Sequence, residues 1–275
     1  MDKKELMAEI ERNVRVCKKC RLYEGAHNPV PGEGNINSEI VFIGEAPGQV
    51  EDETGRPFVG RAGKLLEQLL LKIGYKRTDV WIGNIIKHRP PENRDPLPDE
   101  LQMCEKYLEL QLKAINPVLV VTLGRFSMNY FYPDGKITRD RATVIKAKGY
   151  NVYPVYHPAA ALRNPTMASV LAEDFKKIPQ VLAGIKEGKN LDLNTRKSDL
   201  KIPYNINKIS NNGNNTGNNN NNSYAGNASR SNPNIGNNNN NGNNTPNNGN
   251  NTPNLGNTIP SQPQSDSDGQ LTLGL

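Results

Sequence analysis

The sequence predicts an α/β fold: a three-layer sandwich with a central four-stranded, mostly parallel sheet covered by helices on both faces. Three observations support this. Four short runs rich in β-branched residues are nearly continuous in apolar character, as strands buried on both faces are. Helix-like patterns stand between them, and strands alternating with helices favour parallel pairing through crossovers. Composition changes abruptly near Asn205, so that of 275 residues about 204 remain for one ordinary domain.

The chain opens with MDKKELMAEIERN, a charged amphipathic helix with no signal-peptide core, followed by the pair Cys17-x2-Cys20. The first strand is EIVFIGEA (39–46), which runs out into Gly44-Glu45-Ala46-Pro47-Gly48. EDETGRPFVGRAGKLL (51–66) comes next. Its glycines permit close backbone approach, Arg56 and Arg61 supply positive charge, and a helix over 63–74 begins near enough for its free N–H groups to receive a phosphate. The order of residues is neither that of a P-loop nor that of the GxGxxG dinucleotide fingerprint. Phe58, in a polar loop, is either a small anchor into the core or a stacking face for a planar ligand.

The second strand, DVWIGNII (79–86), carries Asn84 and leads into the proline-rich loop KHRPPENRDP with His88. A helix over 98–115 holds Cys104, and the strand PVLVVTLG (117–124) is followed by the helical pattern RFSMNYFY. The fourth strand, NVYPVYH (151–157), ends in His157-Pro158-Ala159-Ala160, and one helix over 167–182 closes the domain. Open parallel sheets bind ligands outside the carboxyl ends of their strands. Glu45, Asn84 and His157 stand at three such ends. Singly they read as a solvated loop acid, a turn residue and a core histidine; together they describe one crevice.

Residues 205–275 are dominated by Asn, Gly, Ser and Pro, with too little apolar surface to offset the entropy of ordering the backbone, and are expected to be disordered. Lys208, Arg230, Asp266 and Asp268 cancel there, so the formal excess of +6 belongs to the folded part. A basic domain suits a polyanionic partner as well as it suits a merely soluble enzyme. No apolar run is long enough to span a membrane. The expectation is a cytoplasmic monomer with reduced thiols and no membrane association.

Taken in order, GEAPG with Glu51-Asp52, GRPFVGRAG, NIIKHRPPENRDP and HPAA resemble the motifs of the family 4 uracil-DNA glycosylases, the iron-sulfur type, over roughly Cys17 to Lys177. The resemblance implies an enzyme that hydrolyses the bond between uracil and deoxyribose in single- or double-stranded DNA, leaving an abasic site for base excision repair. Glu45, Ala46, Pro47, Phe58, Asn84 and His157 would then form the uracil pocket. Phe58 would stack on the base, Asn84 would read its N3–H and O4 edge, and His157 would donate to O2. Glu45 and Glu51 are the carboxylates for positioning water or stabilising the sugar cation, their roles not separable by sequence. Ala46 stands where some related families carry a water-activating Asp or Asn. Leu162 is the expected wedge for the vacated stack, unless it packs under the last helix, with Arg56, Arg61 and Arg163 as DNA contacts.

The resemblance also implies a [4Fe-4S] cluster on four cysteines, the third in a K-C-R-P-P motif. Here Cys17, Cys20 and Cys104 are present, and His88 occupies the third position. Imidazole ligates iron in Rieske centres, while three cysteines and a histidine also make a zinc site, and absence of a stable metal is a third reading. The rival functions are a uracil or single-stranded-DNA binding protein that does not cut, and a glycosylase for another deaminated base. Gln270 to Leu275 resembles the start of a sliding-clamp-binding peptide without its closing aromatics.

Overall fold

The computed structural model describes residues 2–189. The low-complexity segment and the Gln270–Leu275 peptide lie outside the described residues. The elements are α1 (Lys3–Arg15), β1 (Glu33–Gly34), β2 (Ile40–Gly44), α2 (Gln49–Thr54), α3 (Arg61–Lys72), β3 (Trp81–Asn84), α4 (Pro98–Ile115), β4 (Leu119–Leu123), α5 (Arg125–Phe131), α6 (Ile137–Asp140), β5 (Ile145–Ala147), β6 (Tyr150–Val155), α7 (Pro158–Ala161), α8 (Pro165–Lys176) and α9 (Ile178–Lys186).

The four expected strands pair in parallel, in the order β3-β2-β4-β6. Among the described residues the sheet has six strands rather than four, because the very short β1 and β5 add antiparallel to β3 and β6 at the two edges. Every residue of β2 and β4 is buried, which explains their unbroken apolar sequence. Alternate residues feed two cores. Ile40, Phe42, Leu119, Val121 and Tyr153 pack against Leu66 and Leu70 of α3 and Leu171 and Phe175 of α8. Val41, Ile43, Trp81, Val120 and Val152 face Leu108 and Leu112 of α4 and Phe131 of α5. The three-layer arrangement follows from that alternation. Among the described residues no helix is long and apolar enough to cross a membrane.

Helix ends follow local chemistry. Asp2 caps α1 through the N–H of Glu5, and Glu5 reaches back to the N–H of Asp2. Pro98 opens α4, where its missing N–H costs nothing, and Asn116 closes it at φ 52°. The single last helix expected over 167–182 is two helices, divided at Lys177. Pro179 belongs to the first turn of α9, and its ring would clash inside a continuous helix.

Candidate active site

Outside the carboxyl ends of the parallel strands lies a cavity of about 430 Å³. The chain runs from β2 to β3 on one side and then crosses to β4 on the other, so this is the sheet's topological switch point. Glu45, Ala46, Pro47, Phe58, Asn84 and His157 all line it, and Glu51 joins them.

His157 follows β6 and begins α7, where its Nδ1 accepts a hydrogen bond from the Ala159 N–H at 3.1 Å. An accepting Nδ1 leaves the ring proton on Nε2. Burial presses the imidazole pKa down to about 4, with the positive Arg163 adding to the effect. The ring is therefore a neutral donor at physiological pH. Gly124, at φ +93°, makes room for it, since a Cβ there would lie 3.0 Å from the His157 Cβ.

Phe58 sits 5.7 Å from the His157 ring, centroid to centroid, and adopts a left-handed φ of 51°. Such a backbone needs external support, and it comes from two sides. Arg77 donates to the carbonyls of Phe58, at 2.8 Å, and of Pro57, while Glu33 accepts from Arg77. On the other side the Glu51 Oε1 accepts from the N–H groups of Val59 and Gly60 at 2.9 and 2.8 Å. These two N–H groups stand just before α3, so Glu51 fixes the turn that leads into the helix. Beneath the ring, Gly44 is required: a Cβ there would come within 2.5 Å of Phe58 and 2.4 Å of the Asn84 Oδ1.

Asn84 is 1% exposed, and its Oδ1 has no protein partner, an unmet buried acceptor at the wall of the cavity. At the mouth, burial pushes the Glu45 carboxyl up to about 7, with Asp95 raising it further and Arg125 opposing. Asp95 and Arg125 pair with each other at 3.4 Å.

The expected DNA contacts divide. Arg163 lines the cavity, and both Arg163 and Arg61 lack an ion-pair partner among the described residues. Leu162 is 42% exposed, so packing under the final helix does not bury it. Arg56, by contrast, is held bidentately by Glu33 at 2.8 and 3.0 Å and borders a different cavity.

The sulfur residues are gathered only in part. Interaction with the neighbouring Cys104 holds the Cys20 thiol down to about 7, while Cys17 lies near the Tyr107 hydroxyl. His88 is buried with an unpartnered Nδ1, and burial keeps its pKa low against the pull of Asp52. Among the described residues no three His, Cys, Asp or Glu side chains converge as a metal site. In kind the donors suit one: two neighbouring thiols, a third nearby in sequence, and a buried imidazole nitrogen without a protein partner.

Several contributors escaped the sequence. Asn93, Arg94 and Asp95 bring the proline-rich loop into the cavity wall. Arg94 is clamped by the fully buried Glu100 at 2.6 and 2.8 Å. The only signal was the charge density of ENRDP, which does not reveal which charge turns inward.

Residues 31–182, more than half the chain, match the model of the uracil DNA glycosylase superfamily. The chain is 46% identical to the type-4 uracil-DNA glycosylase of Saccharolobus solfataricus over 193 residues, covering 66% of this chain and 88% of the relative. The corresponding protein of Archaeoglobus fulgidus is 44% identical over 192 residues, covering 66% and 96%. That of Thermotoga maritima is 43% identical over 192 residues, covering 68% and 98%. With the strand-end crevice and the sequence blocks in agreement, the chain belongs to the uracil DNA glycosylase superfamily, among the type-4 enzymes.

Proposed function

We propose that the protein is a monofunctional uracil-DNA glycosylase acting on uracil flipped out of DNA. The observation that carries this reading is His157, a neutral imidazole whose accepting Nδ1 leaves Nε2–H as a donor beside Phe58. Phe58 gives the base a stacking face. The orphaned Asn84 acceptor suits the N3–H of uracil; cytosine, with an acceptor at that position, leaves it unsatisfied.

As the C1′–N1 bond breaks, its electron pair passes to the uracil ring and charge grows on O2. The His157 Nε2–H stabilises that charge, an effect typically worth about 3–4 kcal/mol. Water adds to the cationic C1′ and yields a proton to the Glu45 carboxylate, whose pKa of about 7 suits a base working near neutrality. Glu51, with one oxygen committed to Val59 and Gly60, acts as a positioning residue for Phe58. Arg61 and Arg163 are proposed to meet DNA phosphates and Leu162 to fill the vacated stack. Arg56, spent on Glu33, is a weaker candidate.

Cys17, Cys20, Cys104 and His88 would hold a [4Fe-4S] cluster, with zinc as the alternative occupant. When bound, it would cross-link the N-terminal segment to α4 and the proline-rich loop and take no part in bond cleavage. The direct test is incubation with a uracil-containing oligonucleotide followed by alkali. Strand breakage at uracil, absent with cytosine, is expected. Retention of uracil without an alkali-labile site would leave only a binding protein.

A further inference from the structure

We infer that Lys87 is a positioning residue for base recognition, its buried ammonium fixing the peptide plane at Asn84. The inference rests on the proposed role of Asn84.

Lys87 has no solvent exposure and pairs with no carboxylate among the described residues. Its Nζ instead donates to two neutral acceptors, the Asn84 carbonyl at 2.9 Å and the Gln111 Oε1 at 2.8 Å, and sits 6.0 Å from the Trp81 ring centre. Burying an ammonium against neutral groups is expensive, and an apolar side chain of similar length would fill the space at lower cost. Filling the core therefore does not account for it.

The geometry at the end of β3 does. The N–H of Ile85 donates to the Gly44 carbonyl at 3.0 Å, toward β2. In a trans peptide the Asn84 carbonyl must then point the opposite way. On that side β1 pairs only with Trp81 and Ile82, so the sheet offers this carbonyl nothing. Lys87 supplies the missing donor, and the 84–85 peptide is pinned from both directions. That fixes the backbone from which the Asn84 side chain projects.

Lys87 is itself anchored. Its carbonyl accepts from Val30 N–H at 2.7 Å, and Gln111 donates onward to the Pro31 carbonyl at 2.8 Å. The precision of Asn84 therefore derives from α4 and the segment before β1, not from the pocket.

The test is a double-mutant cycle read by single-turnover uracil excision at saturating enzyme. Lys87→Met should lower the rate about tenfold or more while leaving affinity for abasic-site DNA unchanged, since misplacement of about 1 Å is worth up to a hundredfold. In an Asn84→Ala background the same change should alter the rate less than twofold, because Lys87 acts through Asn84. Gln111→Met, which removes the acceptor that aims Nζ, should repeat the pattern. Equal losses in both backgrounds, or no loss in either, would overturn the inference. Loss of the folded transition in both Lys87→Met and Gln111→Met would overturn it too, by making the role structural. Wild-type protein that fails to excise uracil would instead overturn the proposed function.

Discussion

Glu51 offers the sharpest separation between chemistry and positioning, through the pair Glu51→Gln and Glu51→Ala. The carboxylate accepts two backbone bonds, at 2.9 and 2.8 Å. Bonds to a charged acceptor contribute about 1.5–3 kcal/mol each. Val59 and Gly60 are only half-buried, so water recovers part of this on truncation, leaving a loss of about 3 kcal/mol for alanine. For a folded domain of this size that lowers Tm by roughly 6–12 °C. With only the Arg77 side of its support left, Phe58 can relax from its left-handed backbone, strained on the order of 1 kcal/mol, and the stacking face moves. Glutamine keeps an acceptor and loses the charge, giving up about half of each bond, or about 1.5 kcal/mol in all. The assays are thermal unfolding and single-turnover excision on a uracil oligonucleotide. The expected order is Gln within about fivefold of wild type and Ala about a hundredfold slower, as a misplaced pocket implies. A glutamine variant that melts near wild type yet is as slow as alanine would refute the positioning argument and make Glu51 a base.

Other outcomes follow from the same geometry. His157→Ala and Asn84→Ala should each slow excision about 10²-fold or more with the fold intact, checked by single-turnover kinetics beside circular dichroism. The rate should rise with pH and level off above about 7 as Glu45 ionises, and Glu45→Gln should abolish that limb. Because the Glu45 pKa is raised from 4.5 to about 7, its contribution to stability is greatest below the lower value and falls as pH climbs between them. Asp95→Asn should move the kinetic inflection down, and Arg125→Met up. For His88, the cysteine variant should keep iron and the alanine variant should lose it; iron unchanged in His88→Ala, with only the salt dependence of DNA binding altered, would mean that three cysteines hold the metal alone.

The parallel strands were readable because burial on both faces writes itself as unbroken apolar sequence, and Glu45, Asn84 and His157 were readable as one crevice because each stands at or near the end of such a run. What stayed hidden has a common cause. β1 and β5, at two and three residues, are too short to carry a period. Arg77 and Glu33 are 44 positions apart, and spacing says nothing about such a pair. The proposed division of labour between Glu45 and Glu51 depends on backbone N–H groups eight and nine residues beyond Glu51, which no side-chain pattern records. The break between α8 and α9 was visible in principle as Pro179, but the apolar rhythm continues across it.

The two brief edge strands have a consequence for life at high concentration along a nucleic acid. An open sheet ends in rows of unspent N–H and C=O groups that can recruit strands from other molecules. Here one margin is two residues long and carries Glu33 beneath a pair of guanidinium groups. The opposite margin is a three-residue strand with Lys146 outward, folded back through Lys148-Gly149, both at positive φ. Neither presents a flat, apolar template, so crowding many copies onto one substrate does not offer them a route to growing a shared sheet.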